Sequence, residues 1–536
     1  MDGPSTVLYG IPVHTMDGKT AGADEAACDS AVICGGRILF AGPAEEAFKR
    51  YPNGERVKLE GGCLLPGFID AHLHLREFSL LYCDLDLTAA ETREEILAAV
   101  EKAAGKKKND DFIVGGGADF GLLRTVGREE LDGVTGAHPL VVHSRDLHSV
   151  LVNSAALSAG SIDEGRSDPM GGAIERDAKG VPTGILRERA VDIIRRVIPE
   201  RKSSQVRDAV EHGMERLLQN GITCFCDCSV FEEETLLSIL SRLTGGSGAK
   251  NMNIRAVCMF SDRDATRLGN LGFRSGFGDE FIRVGGCKII IDGSLGSGTG
   301  YMRKPYRGGE SRGLLLTNED ELYEILKRSY THYIHAAVHA VGDAANEIAL
   351  NVMERLNRER GVPKLVKRIE HAQSLEDEDI ARFAPNNVAA VVNPSHISLD
   401  RDRAVKYLGS DARLLYRLRS LAESGAVLAF ASDAPAGSIN PLYGIYLAVE
   451  RKGYSDGPEL RFFPRERIST EQAVYAATMG GAKALGMEEE VGSIEPGKRA
   501  DLVHLSEDIF SIETDRLRDV AVLKTFVGGN PVYERP

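Results

Sequence analysis

Two histidines stand two residues apart at the end of an apolar segment, LLPGFIDAHLH at residues 64–74. On a β-strand the side chains at positions i and i+2 point to the same face, so His72 and His74 would converge at the carboxyl end of this strand. Neutral imidazoles that converge in this way suit zinc or a similar divalent metal. The spacing therefore predicts that both histidines bind metal.

Four further residues of suitable chemistry follow apolar runs later in the chain. His339 lies in VHAVGD, His371 in RIEHAQ and Asp433 in ASDAP, each where the run meets a glycine, a proline or a helix start. Barrel enzymes place their active sites at the carboxyl ends of strands. Each residue alone is weak evidence, but the ordered set predicts a metal centre. His396, after the run 388–393, is a candidate for contact with substrate.

The nine cysteines include three at alternate positions, Cys224, Cys226 and Cys228. On a strand their sulfurs would share one face, which leaves a soft-metal site open as an interpretation. The favoured interpretation is a buried barrel strand in which cysteine serves as a small apolar residue. Reduced thiols also fit a cytoplasmic protein.

The elements that must position these residues change in character along the chain. Short β-like runs with turn signals occupy both ends, so we expect the two termini to form one small β-domain. Between them, apolar runs alternate with helical periodicity, which is typical of βα units around a parallel sheet. The eight strand candidates are residues 64–74, 140–143, 222–227, 254–260, 284–292, 336–340, 388–393 and 427–432.

These eight runs favour an α/β fold built as a TIM-like (β/α)8 barrel over an open sheet. Residues of roughly 75–200 are too many for one βα unit, so we expect an insertion that covers the barrel mouth. At 536 residues the chain is also long enough for a barrel and a smaller domain.

The charge composition limits the classes of molecule that the protein is expected to bind. The acidic side chains (79) outnumber the basic ones (65), which gives a formal net charge of -14 and argues against nucleic acid and anionic membranes as partners. No window approaches the ~18–20 apolar residues that cross a bilayer, and the N-terminus lacks the pattern of a signal peptide. We expect a cytoplasmic protein that acts on a small molecule, with homo-oligomer formation left open.

Longer motifs extend over almost the whole chain: GRI at 36–38, PGFIDAHLH at 66–74, RDLHSVLVNSAAL at 145–157 and GSIEPGKRADLV at 492–503. With these motifs the sequence resembles the amidohydrolase superfamily and, within it, the amidohydrolase-3 branch, which includes N-substituted formamide deformylases and YtcJ-like proteins. The resemblance agrees with a β-sandwich domain built from residues 1–65 and 490–536, and with a metal-dependent barrel over residues 66–489.

The same branch has a lysine before an Asp-Gly pair on its fourth strand, and this chain has KIIIDGSLG at 288–296. The resemblance implies that Lys288 is carboxylated on its amine and bridges two cations, one held by His72, His74 and Asp433 and the other by His339 and His371. The alternative is an unmodified Lys288, paired with Asp292 or facing substrate, in a site with one metal. The resemblance also places His148 of the insertion at the substrate.

These features predict a hydrolase that cleaves an amide-type, non-peptide C–N bond with hydroxide activated by one or two divalent metals, zinc being the first candidate. Asp433 would accept a proton and deliver it to the departing nitrogen, because an amide anion is a very poor leaving group. The alternatives are a mononuclear deaminase or ester hydrolase on the same scaffold, and a regulatory or binding protein without turnover.

The substrate stays open, because the chain departs from the branch at two positions. Gly298-Thr299-Gly300 stands where the branch often has Arg-Thr-Ala, and Ala344 stands where it often has Arg. Both departures remove a positive charge from the expected substrate side.

Overall fold

The computed structural model describes residues 4–18, 28–81, 85–87, 90–107, 111–144, 149–169, 172–199, 201–229, 253–361, 365–454 and 456–536. Its strands, numbered in chain order, are β1 (Ser5–Tyr9), β2 (Ser30–Cys34), β3 (Arg37–Gly42), β4 (Glu55–Lys58), β5 (Cys63–Pro66), β6 (Phe68–Leu73), β7 (Leu85–Asp86), β8 (Ile113–Ala118), β9 (Leu140–Ser144), β10 (Ser149–Val152), β11 (Gly172–Arg176), β12 (Pro182–Glu188), β13 (Ile222–Asp227), β14 (Arg255–Phe260), β15 (Ile282–Ile290), β16 (His335–Ala340), β17 (Lys367–His371), β18 (Val388–Val392), β19 (Val427–Phe430), β20 (Leu502–Leu505), β21 (Val522–Val527) and β22 (Asn530–Glu534).

The α-helices of the described residues, numbered in the same way, are α1 (Ala44–Arg50), α2 (Leu75–Leu81), α3 (Arg93–Ala104), α4 (Phe120–Leu123), α5 (Arg128–Thr135), α6 (Ser154–Ala159), α7 (Val191–Arg195), α8 (Ser203–Gln219), α9 (Asp262–Asn270), α10 (Glu319–Thr331), α11 (Asp343–Arg360), α12 (Asp377–Phe383), α13 (His396–Leu408), α14 (Leu418–Glu423), α15 (Pro441–Glu450), α16 (Thr470–Tyr475) and α17 (Gly481–Leu485).

Eight parallel strands form the barrel, in the order β6, β13, β14, β15, β16, β17, β18 and β19. The backbone N–H of Asp433 donates to the carbonyl of His72 and that of His74 to the carbonyl of Ala434, each at 2.8 Å, so the segment after β19 is tied to β6. Helices follow most of the strands, as a parallel sheet requires. The expected α/β class and TIM-like barrel are confirmed.

One of the eight expected barrel strands is wrong. Residues 140–143 belong to β9, which lies in a separate sheet, and the missing barrel strand is β17. The reason is physical: the apolar run of β9 is fully typical of a buried strand, whereas β17 has the sequence KRIEH, with a single apolar residue, although all five residues are buried.

The segment expected as one strand at 64–74 is divided by Gly67. Its first part is β5, which pairs antiparallel with β20, and its second part is β6 of the barrel. A Cβ on Gly67 would lie 2.2 Å from Oγ1 of Thr223, so only glycine allows this close approach between the chain and β13.

Two four-stranded sheets form a β-sandwich from both ends of the chain. One sheet has the order β3-β2-β1-β4 and the other has the order β22-β21-β20-β5. Their shared core joins residues of both ends, such as Leu8, Ile38, Leu64, Leu502 and Phe526. Neither end alone supplies this core, which explains why the two termini must fold together.

A buried ion pair connects the sandwich to the barrel. Arg255, at the start of β14, donates from Nε and Nη2 to Asp501 at 2.6 and 2.8 Å, and both side chains are almost fully buried. Asp501 is the acidic residue of the carboxyl-terminal GKRADLV motif. A bidentate guanidinium–carboxylate contact fixes both the distance and the relative orientation of the two side chains. The motif therefore helps to set how the sandwich is joined to the barrel.

The insertion forms a six-stranded sheet, in the order β11-β12-β10-β9-β8-β7, with hydrophobic clusters of its own. It meets the barrel mouth through polar contacts: Ser149 Oγ lies 2.9 Å from Ser297 Oγ, and Thr299 Oγ1 donates to Glu188 Oε1 at 2.6 Å. Among the described residues, no helix is long and apolar enough to span a membrane.

Candidate active site

Three of the expected ligands converge at the carboxyl end of β6. Nε2 of His72 lies 3.5 Å from Oδ1 of Asp433, and Nε2 of His74 lies 3.4 Å from the same oxygen. One ligand atom of each residue lies within 4.8 Å of the others. His72 is almost fully buried, whereas a quarter of the His74 side chain is exposed. The three residues thus form a group of a size that could hold one metal ion, open on one side.

His339 and His371 lie beside this group. The ring of His371 is 5.2 Å from the ring of His72 and 4.5 Å from that of His339, measured between centroids. Nδ1 of His371 donates to Oδ1 of Asn393 at 2.8 Å. This hydrogen bond fixes the ring and leaves Nε2 as the nitrogen that could bind a metal. Nε2 of His339 lies 3.0 Å from the carbonyl oxygen of Gly293. The structure therefore brings all four predicted histidine ligands together.

Lys288 of β15 reaches the same place. Its side chain is buried, and Nζ lies 3.2 Å from Nε2 of His72. The carboxylate of Asp292 instead accepts backbone N–H groups of Val341, Gly342 and Tyr301 at 2.8–3.0 Å. Asp292 thus anchors the turn after β16, and the Lys288 amine faces the histidines.

A buried ion pair that supports His72 was not predicted from the sequence. Nε of Arg368 lies 2.7 Å from Oε1 of Glu370, and Oε2 of Glu370 accepts a hydrogen bond from Nδ1 of His72. Both charged side chains are at most 1% exposed. A carboxylate on Nδ1 fixes the tautomer of an imidazole and leaves Nε2 as its metal-binding atom. The signal available in the sequence was KRIEH, a strand-length run with three charged residues and a histidine around a single apolar residue.

An unusual backbone explains how adjacent residues of β17 both reach the site. Glu370 and His371 are neighbours on a strand, where successive side chains point to opposite faces. His371 has φ of 71°, and this left-handed conformation breaks the alternation at the strand end. Asp433 shares the feature, with φ of 55°. Strain of this kind is frequently found at functional sites.

Burial sets the protonation of the ligands. It lowers the pKa of His72 to about 4, assisted by the nearby Lys288, and the pKa of His371 to about 3. Burial opposes ionisation of Asp433, but the hydrogen bond from His74 and the surrounding imidazoles outweigh it and hold the pKa well below its usual value. At neutral pH the imidazoles of His72 and His371 are therefore neutral and the carboxylate of Asp433 is ionised, the forms that bind a metal.

A cavity with about 560 Å³ of empty space, part of it open to solvent, leads to these residues. Its lining includes His339, His371, His396 and Asp433, as well as Asp119 and Phe120 from the insertion, and Gln373, Asp400 and Arg403, which the sequence did not indicate. Nε2 of His396 lies 4.0 Å from Oδ2 of Asp433. The predicted substrate residue His148 lies outside the described residues.

The alternating cysteines lie behind the site. Cys224, Cys226 and Cys228 are buried and pack with apolar residues of neighbouring strands. Sγ of Cys226 also accepts from Nη2 of Arg368 at 3.0 Å, and Cys228 lies within 4.8 Å of His72 and Glu370. Their packing agrees with the small-apolar interpretation, and Cys226 and Cys228 also contact the charged residues behind His72.

The chain is similar to known proteins of one family. The amidohydrolase family profile matches residues 55–533. Protein LONG AFTER FAR-RED 3 of Arabidopsis thaliana is 31% identical over 517 residues, covering 94% of this chain and 88% of that protein. N-substituted formamide deformylase of Arthrobacter pascens is 27% identical over 547 residues, covering 99% of each chain.

Among solved structures, an uncharacterized metal-dependent hydrolase from Pyrococcus furiosus has a TM-score of 0.73 at 26% identity, covering 95% of this chain and 100% of that chain. The family match covers the barrel, the insertion, and strands β4, β5, β20 and β21 of the sandwich. This chain belongs to the amidohydrolase family, in its amidohydrolase-3 branch.

Proposed function

We propose that the protein hydrolyses an amide-type, non-peptide C–N bond in a small molecule, with one or two divalent metals, zinc first among them. The observation that carries the proposal is the convergence of His72, His74 and Asp433, with Lys288, His339 and His371 beside them, next to a cavity that Asp433, His339 and His371 line. The deformylase relative supports a C–N bond as the target.

The residues fit two metal positions. Imidazole and carboxylate donors are the ligands that zinc takes at catalytic sites. An ammonium group 3.2 Å from Nε2 of His72 would repel a cation there, whereas a carbamate on Lys288 would offer oxygens to both positions. His72, His74 and Asp433 would hold one metal, and His339 and His371 the other, with the Lys288 carbamate between them.

When bound, the metal would supply a Lewis acid for the carbonyl and a lowered pKa for an attacking water. Asp433 is oriented for the proton transfer, because Oδ1 faces His72 and His74 while Oδ2 faces the cavity near His396. A proton accepted by this carboxylate can therefore pass to the departing nitrogen without leaving the cavity.

His396 is placed to hold substrate. Its Nε2 is buried and has no hydrogen-bond partner within the described part of the chain. A buried nitrogen left in this state costs free energy, so a polar atom of the substrate is its natural partner. Phe120 and Asp119 of the insertion also line the cavity.

A one-metal site is the second candidate, and one observation favours it. As an amine, Lys288 has a hydrogen-bond acceptor in Nε2 of His72, so the side chain is satisfied without carboxylation, and the single metal would then be held by the other ligands rather than by His72. This arrangement would suit a mononuclear deaminase or an ester hydrolase on the same scaffold.

Metal content together with a substrate panel separates the candidates. We expect about two barrel-bound divalent cations per chain in protein purified without chelator, because six ligands exceed what one tetrahedral ion needs. Lys288→Ala should lower the metal content by about one, whereas Lys452→Ala, at a buried lysine outside the site, should not.

The panel would contain N-formyl, N-acyl, cyclic amide and ester substrates, tested with metal-free and metal-loaded protein. We expect the metal-loaded protein to hydrolyse amides and the metal-free protein not to hydrolyse them. Unchanged metal content in Lys288→Ala would favour the one-metal candidate, and metal-independent turnover would remove the mechanism.

A further inference from the structure

A second cluster of metal-binding side chains lies in the terminal sandwich and shares no residue with the barrel site. It consists of His14 after β1, Cys63 at the start of β5 and Asp508 after β20. Their ligand atoms lie within 4.8 Å of one another, and Nε2 of His14 is 2.9 Å from Oδ1 of Asp508.

The three side chains are held by well-bonded backbone. The N–H of His14 donates to the carbonyl of Leu64 at 3.0 Å, which ties it to the residue after Cys63. The N–H of Phe510 donates to Oδ1 of Asp508 at 3.2 Å, and the ring of Phe510 lies 4.3 Å from that of His14. Three remote parts of the chain thus present one nitrogen, one sulfur and one oxygen to the same point.

The geometry suits a tetrahedral cation. Bonds of about 2.0–2.3 Å to nitrogen, oxygen and sulfur give ligand-to-ligand distances of roughly 3.3–3.8 Å, so the observed spacing needs only small adjustments. Cys63 closes the inner side because it is fully buried, whereas the side chains of His14 and Asp508 are 29% and 21% exposed. A fourth ligand, water or the carbonyl of Glu507, which lies 3.6 Å from Sγ, can complete the site.

We propose that His14, Cys63 and Asp508 bind a thiophilic divalent cation of the zinc class, which joins the first and last parts of the chain. Metal binding must displace the thiol proton, because the thiolate is the ligand. Occupancy should therefore fall as the pH is lowered.

The test measures metal in the full-length protein and in three variants. Cys63→Ser and Asp508→Asn should each lose about one equivalent of zinc per chain and keep their turnover. Cys28→Ser is the matched control, because this sandwich cysteine lies outside the cluster; it should lose none. The cobalt-loaded parent should also show a near-ultraviolet thiolate-to-cobalt band that Cys63→Ser lacks.

Equal metal content in all four proteins would overturn the proposal and leave an ion pair beside a thiol. Persistence of the cobalt band in Cys63→Ser would also overturn it, since Cys228 near the barrel site would then be its source. Should Cys63→Ser fail to fold, Asp508→Asn decides the matter, because Asp508 is partly exposed. Loss of one equivalent in that variant supports the site, and full content refutes it.

Discussion

The barrel and the sandwich each bring together side chains of types that can bind a metal, but the two groups are supported differently. In the barrel, His72 is backed by Glu370 and Arg368, and burial keeps its imidazole neutral. In the sandwich, His14 and Asp508 pair directly and remain partly exposed. The supporting charge and the adjoining cavity suit the barrel group to the proposed chemistry, whereas the sandwich cluster has neither among the described residues and suits a structural role.

An Asp→Asn substitution in each cluster should give the clearest difference between the barrel and the sandwich. Asp433→Asn keeps the shape of the side chain but cannot carry a proton, so turnover should fall by about 10²- to 10⁴-fold, and loss of ligand charge should lower it further. Asp508→Asn should leave turnover unchanged. Measurements of kcat and metal content on both variants test the contrast.

Near-normal kcat with full metal content in Asp433→Asn would contradict the assignment. Proton transfer would then belong to another group, with His148 and His396 the next candidates. A large loss of turnover in Asp508→Asn would show instead that the sandwich cluster is coupled to the chemistry.

A smaller loss is expected when the support behind His72 is weakened. Glu370→Gln should reduce metal affinity or activity by about 10- to 100-fold, because the neutral amide no longer fixes and polarises the imidazole. Metal titration of the apo-protein, with kcat and KM, measures the effect. Glu354→Gln is the control, since it removes a half-buried ion pair with Arg382 that involves none of the proposed ligands.

Glu370→Gln also leaves Arg368 without its buried charge partner, so thermal unfolding must be recorded for both variants. A shared fall in melting temperature with unchanged metal affinity would mean that Glu370 serves the fold alone. Lower affinity only in Glu370→Gln would identify it as a positioning residue for His72.

The site was predictable where periodicity governs it. His72 and His74 follow from the two-residue repeat of a strand, and His339 and Asp433 from their places after apolar runs. Glu370 was not predicted, because the alternation of side chains along a strand assigns Glu370 and His371 to opposite faces. The left-handed φ of His371 brings both residues to the site. Local pattern cannot show such a break.

The remainder depends on contacts between distant parts of the chain. Asp119 reaches the cavity from the insertion and pairs with Arg403 of α13, a contact across 284 positions that no local signal encodes. The run at 140–143 misled for the opposite reason, since an apolar strand of a separate sheet has the same local pattern as a barrel strand. Barrel class was therefore easier to predict than strand membership or cavity lining.

The smallest expected effect concerns residues that only hold substrate. His396→Asn and His148→Asn should mainly raise KM, by up to about tenfold, because one hydrogen bond contributes roughly 0.5–1.5 kcal/mol net. His212→Asn, at an exposed helix position, serves as the control. Steady-state kinetics with saturating metal separate KM from kcat. A fall in kcat with unchanged KM for His396→Asn would move this residue from substrate binding to the proton path, because its Nε2 already lies 4.0 Å from Oδ2 of Asp433.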